Sequence, residues 1–235
     1  MALGPDHERV ARSLQACSLF DAVPEPTVAA VAMGARRRRF RRGEVIFHQG
    51  DPGETLHVID RGRVKISLVS PDGNEAILAI LATGAFFGEL ALLDAGPRSA
   101  SAEAMEATET LEVTSGALGM LLDDVAVRKR VLQRVAQEIR RTDRQIERLR
   151  FVDLPGRVAL HLADLATEHG SSRADGAVVL TIPYRQADLA SLVGATRQGV
   201  GRAIRELEQE GLLQSEGRDV VIPDPDRLVR RAEAR

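Results

Sequence analysis

Short apolar segments alternate with polar turns through the first half of the chain. Between residues 44 and 113 the apolar residues fall in segments of four to six residues, and Gly, Asp and Pro fill the gaps. The clearest segments cover residues 44–47, 56–60, 64–69 and 76–81. Strands of this length, repeated at roughly 8–12 residues, are typical of an all-β sandwich or barrel. A short helical pattern over residues 8–19 precedes them.

Beyond residue 115 the spacing of apolar residues becomes helical. Between residues 132 and 149 the steps are 3, 4, 3, 4 and 3, the a/d register of a coiled coil. The residues are Leu132, Val135, Ile139, Thr142, Ile146 and Leu149. A helix over residues 125–150 would be about 39 Å long at about 1.5 Å per residue. Because its other faces are charged and the chain has no second matching stripe, the pattern predicts a parallel homodimer.

The last third of the chain has the pattern of a winged helix-turn-helix. Helices are predicted over residues 157–169, 186–193 and 197–210, a strand over 177–182, and a hairpin over 212–222. Pro155 is predicted to end the preceding long helix. Gly194 permits a left-handed turn between the second and third helices, and Thr196 can cap the third.

The third of these helices carries side chains that can read DNA. Arginine can bind guanine, and glutamine adenine, through two hydrogen bonds each. The candidate DNA-binding residues are Thr196, Arg197, Gln198 and Arg202, with Arg218 at the tip of the predicted wing. Residues 151–235 carry eleven arginines and thirteen acidic residues, so any DNA contact must be local. The alternative is a solvated helix face with incidental arginines.

Residues 86–100 interrupt the strand pattern with a glycine, a short helical turn, a loop and an Arg-Ser pair. Backbone N–H groups at the helical turn would form an anion site, and Arg98 could bind a phosphate through two hydrogen bonds. Glu89 could accept hydrogen bonds from sugar hydroxyls. The candidate ligand residues are Gly88, Glu89, Leu90, Ala91, Arg98 and Ser99. They suit a ligand with a phosphate and a ribose; the alternative is a Glu89–Arg98 salt bridge that braces a loop.

Three segments in this order resemble the cyclic-AMP receptor protein/FNR (CRP/FNR) family of bacterial transcription regulators. Residues 87–99 are similar to the family's phosphate-binding cassette, residues 151–159 to its interdomain hinge and residues 193–202 to its recognition helix. The resemblance covers nearly the whole chain. It implies an α+β fold in three parts, listed here by residue range: a jelly-roll-like β-roll sensor of the cyclic-nucleotide-binding type (1–120), a dimerisation helix (121–152) and a winged helix-turn-helix DNA-binding domain (153–235).

The resemblance also implies a ligand. In the cyclic-nucleotide-responsive members Glu89 would bind the ribose 2′-hydroxyl, and Arg98 and Ser99 the cyclic phosphate. Thr142 matches a residue that touches the base, and Asp143 beside it replaces the serine or asparagine common in cAMP sensors. The resemblance makes cAMP the first effector expected. An ionised aspartate only accepts hydrogen bonds, and it could take the amino protons of adenine or those on the guanine edge, so cGMP stays open. Glu138 stands where arginine is common.

The function implied by the resemblance is allosteric control of transcription. We expect a cytoplasmic homodimer that binds palindromic double-stranded DNA and works with RNA polymerase. The position after Arg197 is often glutamate in the family, which accepts from cytosine, whereas this chain has Gln198. Two alternatives stay open: a regulator that binds DNA without nucleotide or with another effector, and a nucleotide-responsive adaptor that has lost DNA binding.

Composition excludes several other classes of protein. A single cysteine excludes a disulfide framework and a four-cysteine cluster, and the five histidines lack metal-ligand spacing, so we expect no metal. We expect no enzyme, because no serine–histidine–acid set or P-loop is visible. No apolar run approaches the roughly 18 residues of a membrane span, so we expect no membrane partner. The arginine run over residues 36–42 is either a solvated strand edge or a contact with DNA or protein.

Overall fold

The computed structural model describes residues 5–21, 23–217 and 219–234. The chain divides into two compact units, Met1–Glu138 and Ile139–Arg235. The division falls inside the long helix, and the predicted three-part domain boundaries stay a prediction. Arg218, predicted to contact DNA, lies outside the described residues.

The first unit begins with helices and continues as strands. Helix α1 (Pro5–Gln15), a 3₁₀ turn (Ser18–Phe20) and helix α2 (Glu25–Gly34) come first. The next elements are β1 (Arg36–Phe40), β2 (Val45–Phe47), β3 (Thr55–Arg61), β4 (Arg63–Val69), β5 (Glu75–Ala82), β6 (Phe86–Phe87), α3 (Leu90–Leu93), β7 (Ser101–Ala104), β8 (Thr108–Thr114), α4 (Ser115–Leu122) and α5 (Val125–Phe151). Helix α2 was missed by the sequence analysis, because its run of small apolar residues has no amphipathic period.

Two antiparallel four-stranded sheets form the predicted β-roll. Their strand orders are β1-β8-β3-β6 and β2-β7-β4-β5. Ile59, Val64 and Phe87 are buried in one hydrophobic cluster, with Ile46 and Leu81 packed against it. Successive residues of β3 are buried in different clusters, because Leu56 and Val58 belong to a second cluster with residues of α1, α2 and α4. Strand β3 is therefore buried on both faces of the sheet.

The arginine run forms β1, at the edge of the first sheet. Arg37 pairs with Asp60 and with Glu109 at 3.0 Å, and Arg39 also reaches Glu109 at 3.0 Å. Arg39 is 77% exposed, so its pair is a surface contact of small energy. This arrangement agrees with the solvated-edge interpretation, in which charged side chains keep an edge strand from pairing with other chains.

The second unit contains the end of α5 and a winged helix-turn-helix. Its further elements are α6 (Leu154–His169), β9 (Ser171–Ser172), β10 (Val178–Thr181), α7 (Gln186–Leu192), α8 (Arg197–Gln209), β11 (Gln214–Glu216), β12 (Asp219–Ile222) and α9 (Pro225–Glu233). The sheet order is β11-β12-β10-β9. Leu162, Leu189 and Leu207 join α6, α7 and α8 in one buried cluster.

The start of α6 corrects the prediction for Pro155. Instead of breaking the long helix, Pro155 lies in the first turn of α6, where a missing N–H leaves no hydrogen bond unmade. Asp153 caps this helix, and its carboxylate accepts a hydrogen bond from the N–H of Gly156 at 2.8 Å. Helix α9 was not predicted; Asp224 caps it through the N–H groups of Asp226 and Arg227.

Candidate functional site

A cavity of about 110 Å³ lies in the first unit. Its walls come from β4 and β5, from the segment around β6 and α3, from residues 98–100 and from α5. Phe47, Ile66 and Phe86 supply apolar surface. The charged lining residues are Glu89, Arg98, Arg134 and Glu138. An apolar cavity with a few charged groups is the usual form of a small-molecule site.

Arg98 is the most deeply buried of these charged side chains. It is 5% exposed. Its Nη1 donates to the carbonyl of Gly88 at 2.8 Å, and its Nη2 donates to the hydroxyl of Thr55 at 3.2 Å. The guanidinium carbon lies 4.1 Å from the centre of the Phe47 ring. Burial lowers the pKa of Arg98.

The buried guanidinium has no anionic partner among the described residues. No carboxylate oxygen there lies within 4.0 Å of Arg98, and its buried Nε has no hydrogen-bond partner. The loop-bracing Glu89–Arg98 salt bridge, the alternative left open by the sequence, is therefore not formed. A buried charge is costly unless it is paired, so this site is suited to an anion.

Thr55, which accepts a hydrogen bond from Arg98, also contacts a buried neutral histidine, His57. His57 is 3% exposed and stacks on Phe87, with ring centres 5.1 Å apart. Its Nε2 lies 3.4 Å from the hydroxyl of Thr55, and its Nδ1 lies 3.2 Å from that of Thr110. Burial lowers the pKa of His57 to about 3. The neutral ring has one donor and one acceptor and can serve both hydroxyls.

Two glycines let the backbone close around Arg98. Gly88 has a φ of 82°, and a Cβ there would lie 2.5 Å from Nη1 of Arg98. A Cβ on Gly53 would lie 2.2 Å from the Cβ of Ala91. The sequence analysis identified Gly88 but gave Gly53 no part in the site, because the close approach joins segments that are far apart in the chain.

The structure brings the six predicted cassette residues to this one cavity. Gly88, Glu89, Leu90, Ala91, Arg98 and Ser99 all line it. Burial raises the pKa of Glu89, whose carboxylate also accepts a hydrogen bond from its own backbone N–H. The helical turn α3 is only four residues long. Thr142 and Asp143 are exposed on α5 and belong to the second unit, so their contact with a ligand stays a prediction.

Arg134 was missed by the sequence analysis, and Glu138 was noted only as a departure from the family. Both lie on α5 and line the cavity. Nη2 of Arg134 is 3.6 Å from Oε2 of Glu138, and the Arg134 guanidinium lies 5.8 Å from the centre of the Phe86 ring. No sequence signal separates Arg134 from the other arginines of this helix, because packing decides which face of α5 meets the cavity.

The second unit presents a polar helix face suited to DNA. Arg197, Gln198 and Arg202 are exposed at the start of α8. Thr196 caps this helix as predicted, and its hydroxyl accepts from the N–H of Gly199 at 3.1 Å. Among the described residues, neither of the two arginines forms an ion pair within 4.0 Å, and Gln198 carries an uncharged amide. Their hydrogen-bonding groups are therefore available to a nucleic acid.

The two regions correspond to known domain families. Residues 37–124 match the family model of the cyclic nucleotide-binding domain, and residues 156–231 match that of the Crp-like helix-turn-helix domain. Over 220 residues the chain is 35% identical to the CRP-like cAMP-activated global transcriptional regulator of Mycobacterium tuberculosis H37Rv, covering 93% of this chain and 98% of that protein. The chain belongs to the CRP/FNR family. The resemblance inferred from the sequence is thereby confirmed.

Solved structures of similar proteins have the same fold. FixK2 from Bradyrhizobium japonicum superposes with a TM-score of 0.72 at 26% identity, covering 83% of this chain and 96% of that one. CLP from Xanthomonas campestris, described as a c-di-GMP responsive global regulator, gives 0.71 at 26% identity, with coverages of 86% and 100%. The predicted β-roll, long helix and winged helix-turn-helix are confirmed. The chain is a CRP/FNR transcription regulator with a cyclic nucleotide-binding domain and a DNA-binding helix-turn-helix.

Neither a membrane span nor a metal cluster is found in the part of the chain that the structure describes. Within residues 5–21, 23–217 and 219–234, no helix is both long and apolar enough to cross a bilayer. Over the same residues, His, Cys, Asp and Glu form no group of three that could hold a metal ion. Cys17 is buried, and burial raises the pKa of its thiol to about 11.

Gly88→Ala should destabilise the protein more than Gly73→Ala. Both glycines have φ near 80°, but a Cβ at Gly73 would meet nothing within 4 Å, whereas a Cβ at Gly88 would meet Arg98. We expect a loss of about 1 kcal/mol for Gly73→Ala and about 2 kcal/mol or more for Gly88→Ala in urea unfolding. Equal losses would show that Arg98 is not packed tightly against Gly88.

The free energy of unfolding should depend on pH through His57. Its pKa falls from 6.5 to about 3 on folding, so only the unfolded chain binds a proton between these values. Above pH 6.5 protonation of His57 does not affect the free energy of unfolding. Below pH 6.5 it lowers the free energy of unfolding by up to about 1.4 kcal/mol per pH unit. His161, with a pKa of about 4, adds a second proton.

Urea unfolding between pH 7 and 4.5 measures this dependence. His57→Gln should reduce the slope by about one proton, while His48→Gln, at an exposed position, serves as the matched control. The same slope in wild type and His57→Gln would contradict a buried neutral His57.

Proposed function

We propose that this regulator is a homodimer that binds palindromic DNA and is controlled allosterically by a cyclic nucleotide, cAMP in the first place and cGMP in the second. The one observation that carries the nucleotide assignment is Arg98. Its buried guanidinium lacks an anionic partner among the described residues and forms part of the cavity wall. A cyclic phosphate has the single negative charge and the oxygen acceptors that such a group needs.

The other cassette residues take the roles that the family pattern gives them. Glu89 accepts hydrogen bonds from the ribose, and Ser99 adds a hydroxyl donor to the phosphate. Gly88, Leu90 and Ala91 contribute backbone close to the phosphate. Thr142 and Asp143 meet the base when the ligand is bound, and the carboxylate of Asp143 accepts its amino protons.

The long helix supplies the dimer interface. Leu132, Ile139 and Ile146 of the heptad stripe are 68%, 58% and 55% exposed. Apolar residues repeated in an a/d register become buried when two such helices pair. The second copy of this chain is the partner with the matching stripe, and the dimer presents two α8 helices to the two halves of one operator.

Ligand binding acts as a shift between two arrangements of the dimer. A nucleotide bound to the β-roll and to the dimer helices favours one arrangement by the difference in its affinity for the two. In the favoured arrangement the two α8 helices lie about 34 Å apart, the spacing of successive major grooves on one face of DNA. The regulator then acts with RNA polymerase in the cytoplasm.

Calorimetric titration of the purified protein with cAMP, cGMP and c-di-GMP tests the ligand assignment. Arg98→Gln should weaken binding of the preferred nucleotide about 100-fold, since a pair of charge-assisted hydrogen bonds contributes on the order of 3 kcal/mol. The control Arg42→Gln removes an exposed arginine from the same unit and should leave affinity unchanged.

The fold of Arg98→Gln is checked by thermal unfolding. We expect one cooperative transition with a small change in Tm, because removal of a buried charge without an ion-pair partner offsets the loss of its hydrogen bonds to Gly88 and Thr55. Binding of c-di-GMP but of neither cAMP nor cGMP would favour a regulator that responds to another effector. The similar protein CLP is described as c-di-GMP responsive. Wild-type affinity in Arg98→Gln would refute the phosphate assignment.

Gln198→Glu should change the base read by α8. Glutamine pairs with the N6 and N7 groups of adenine, whereas glutamate accepts from N4 of cytosine. Selection from a degenerate palindromic library by gel shift should therefore give adenine for the wild type and cytosine for Gln198→Glu at one position of each half-site. Identical preferences would remove Gln198 from the recognition surface, and no selective shift in any form would favour the adaptor alternative.

A further inference from the structure

We propose that Arg231, in the last helix, is a positioning residue for DNA recognition, because it ties the recognition helix α8 to the N-terminal cap of α6. The inference rests on the proposed reading of DNA by α8. Arg231 itself is not placed against the DNA; it acts through Asp153, Glu206 and Glu210. We call these four residues the Arg231 clamp.

The guanidinium of Arg231 binds three carboxylates at the ends of two other helices: Asp153 is the N-cap of α6, Glu206 lies in α8 and Glu210 is the C-cap of α8. Nη1 lies 3.0 Å from both oxygens of Asp153. Nη2 lies 2.9 Å from Oε1 of Glu206, and Nε lies 3.1 Å from Oε2 of Glu210. All the donor groups of one side chain are thus directed at α8 or at the start of α6. A planar, five-donor group can make such an arrangement, whereas a lysine cannot.

Burial separates this cluster from an ordinary surface ion pair. The side chain of Arg231 is 10% exposed, whereas its neighbour Arg230, paired with Asp224 at 3.3 Å, is 63% exposed. Exposed pairs contribute little, whereas the mostly buried Arg231 contacts three carboxylates that are 30%, 44% and 35% exposed and is held in one geometry by all of them. Without Arg231, the three negative groups would repel one another across α6 and α8.

The clamp reaches the segment that begins α6. The Asp153 carboxylate that binds Arg231 also caps α6 through the N–H of Gly156. A Cβ on Gly156 would lie 3.4 Å from the Cα of Ala232, so α9 packs closely over this cap. Helix α9 is therefore fixed against the start of α6. Because Arg231 also binds Glu206 and Glu210, it holds the end of α8 in place relative to α6 and α9.

A small change in the direction of α8 at Glu206 displaces Gln198, near the start of the helix, by a larger distance. Glu206 and Gln198 are eight positions apart on α8, or about 12 Å along the axis. A rotation of about 10° about the Glu206 end would move Gln198 by about 2 Å, more than the range over which a hydrogen bond survives. Near the other end, Gly199 packs against Leu154, whose Cδ2 would lie 3.0 Å from an added Cβ. Val200, Ala203 and Leu207 hold the apolar face of α8 in the core, and the clamp adds a contact on its polar side at the far end from Gln198.

Three variants of the full-length protein test the inference on the palindromic site selected by the wild type, with random-sequence DNA as reference. Arg231→Gln should lower operator affinity about 10-fold to 100-fold and change affinity for random DNA less than about 3-fold. Arg231→Lys keeps the charge and should lose operator affinity too. Arg230→Gln, which removes the same charge from the same helix, should leave the ratio of the two affinities unchanged.

The double variant Glu206→Gln/Glu210→Gln separates positioning from charge. Removing two negative charges favours DNA binding on electrostatic grounds, whereas loss of the clamp lowers operator affinity. We expect the loss, with nucleotide affinity unchanged. A gain in operator affinity, or an Arg231→Gln variant with the wild-type ratio, would overturn the inference. This double variant also gives a result if Arg231→Gln does not fold. A wild type without any selective binding would instead refute the proposed DNA-reading function.

Discussion

The N-terminal unit is organised around one buried cation, the guanidinium of Arg98. Two of its nitrogens are held by the carbonyl of Gly88 and the hydroxyl of Thr55, and its face packs on Phe47. The backbone at position 88 passes so close to the guanidinium that only glycine, which has no Cβ, fits there. A cation fixed in this way before a ligand arrives loses little side-chain entropy on binding an anion, and this favours affinity. The cavity is thus preorganised for negative charge.

The cavity wall combines charges of both signs. Glu89 and Glu138 face it together with Arg98 and Arg134, and burial raises the pKa of Glu89. Such a site favours a ligand that carries both an anionic group and hydrogen-bond donors, because each protein charge then has its own partner. A simple anion would bind Arg98 but would offer no hydrogen-bond donor to the carboxylate of Glu89.

In the second unit, the packing fixes the direction of α8, whose polar face is exposed. Gly194, with φ of 65°, turns the chain between α7 and α8, and a Cβ there would lie 2.7 Å from Leu149. Arg157 donates to the carbonyls of Val193 and Val152 at 2.9 and 3.0 Å. The end of α5, the start of α6 and the helix-turn-helix are therefore packed against one another within the second unit.

The sequence by itself determined the class of fold, the long helix, the grouping of Gly88 to Ala91 with Arg98 and Ser99 and the Thr196 cap, because these depend on local periodicity and on residues close together in the chain. It assigned Pro155 the wrong role and missed the helices α2 and α9. Only the tertiary structure decided that Arg98 lacks a partner among the described residues, that Thr55 and His57 support it, and that Arg231 joins α6 to α8. Those facts depend on contacts between residues far apart in the chain, such as Thr55 with Arg98 at a separation of 43 and Asp153 with Arg231 at 78. No local pattern encodes such contacts, because packing alone selects which side chains meet.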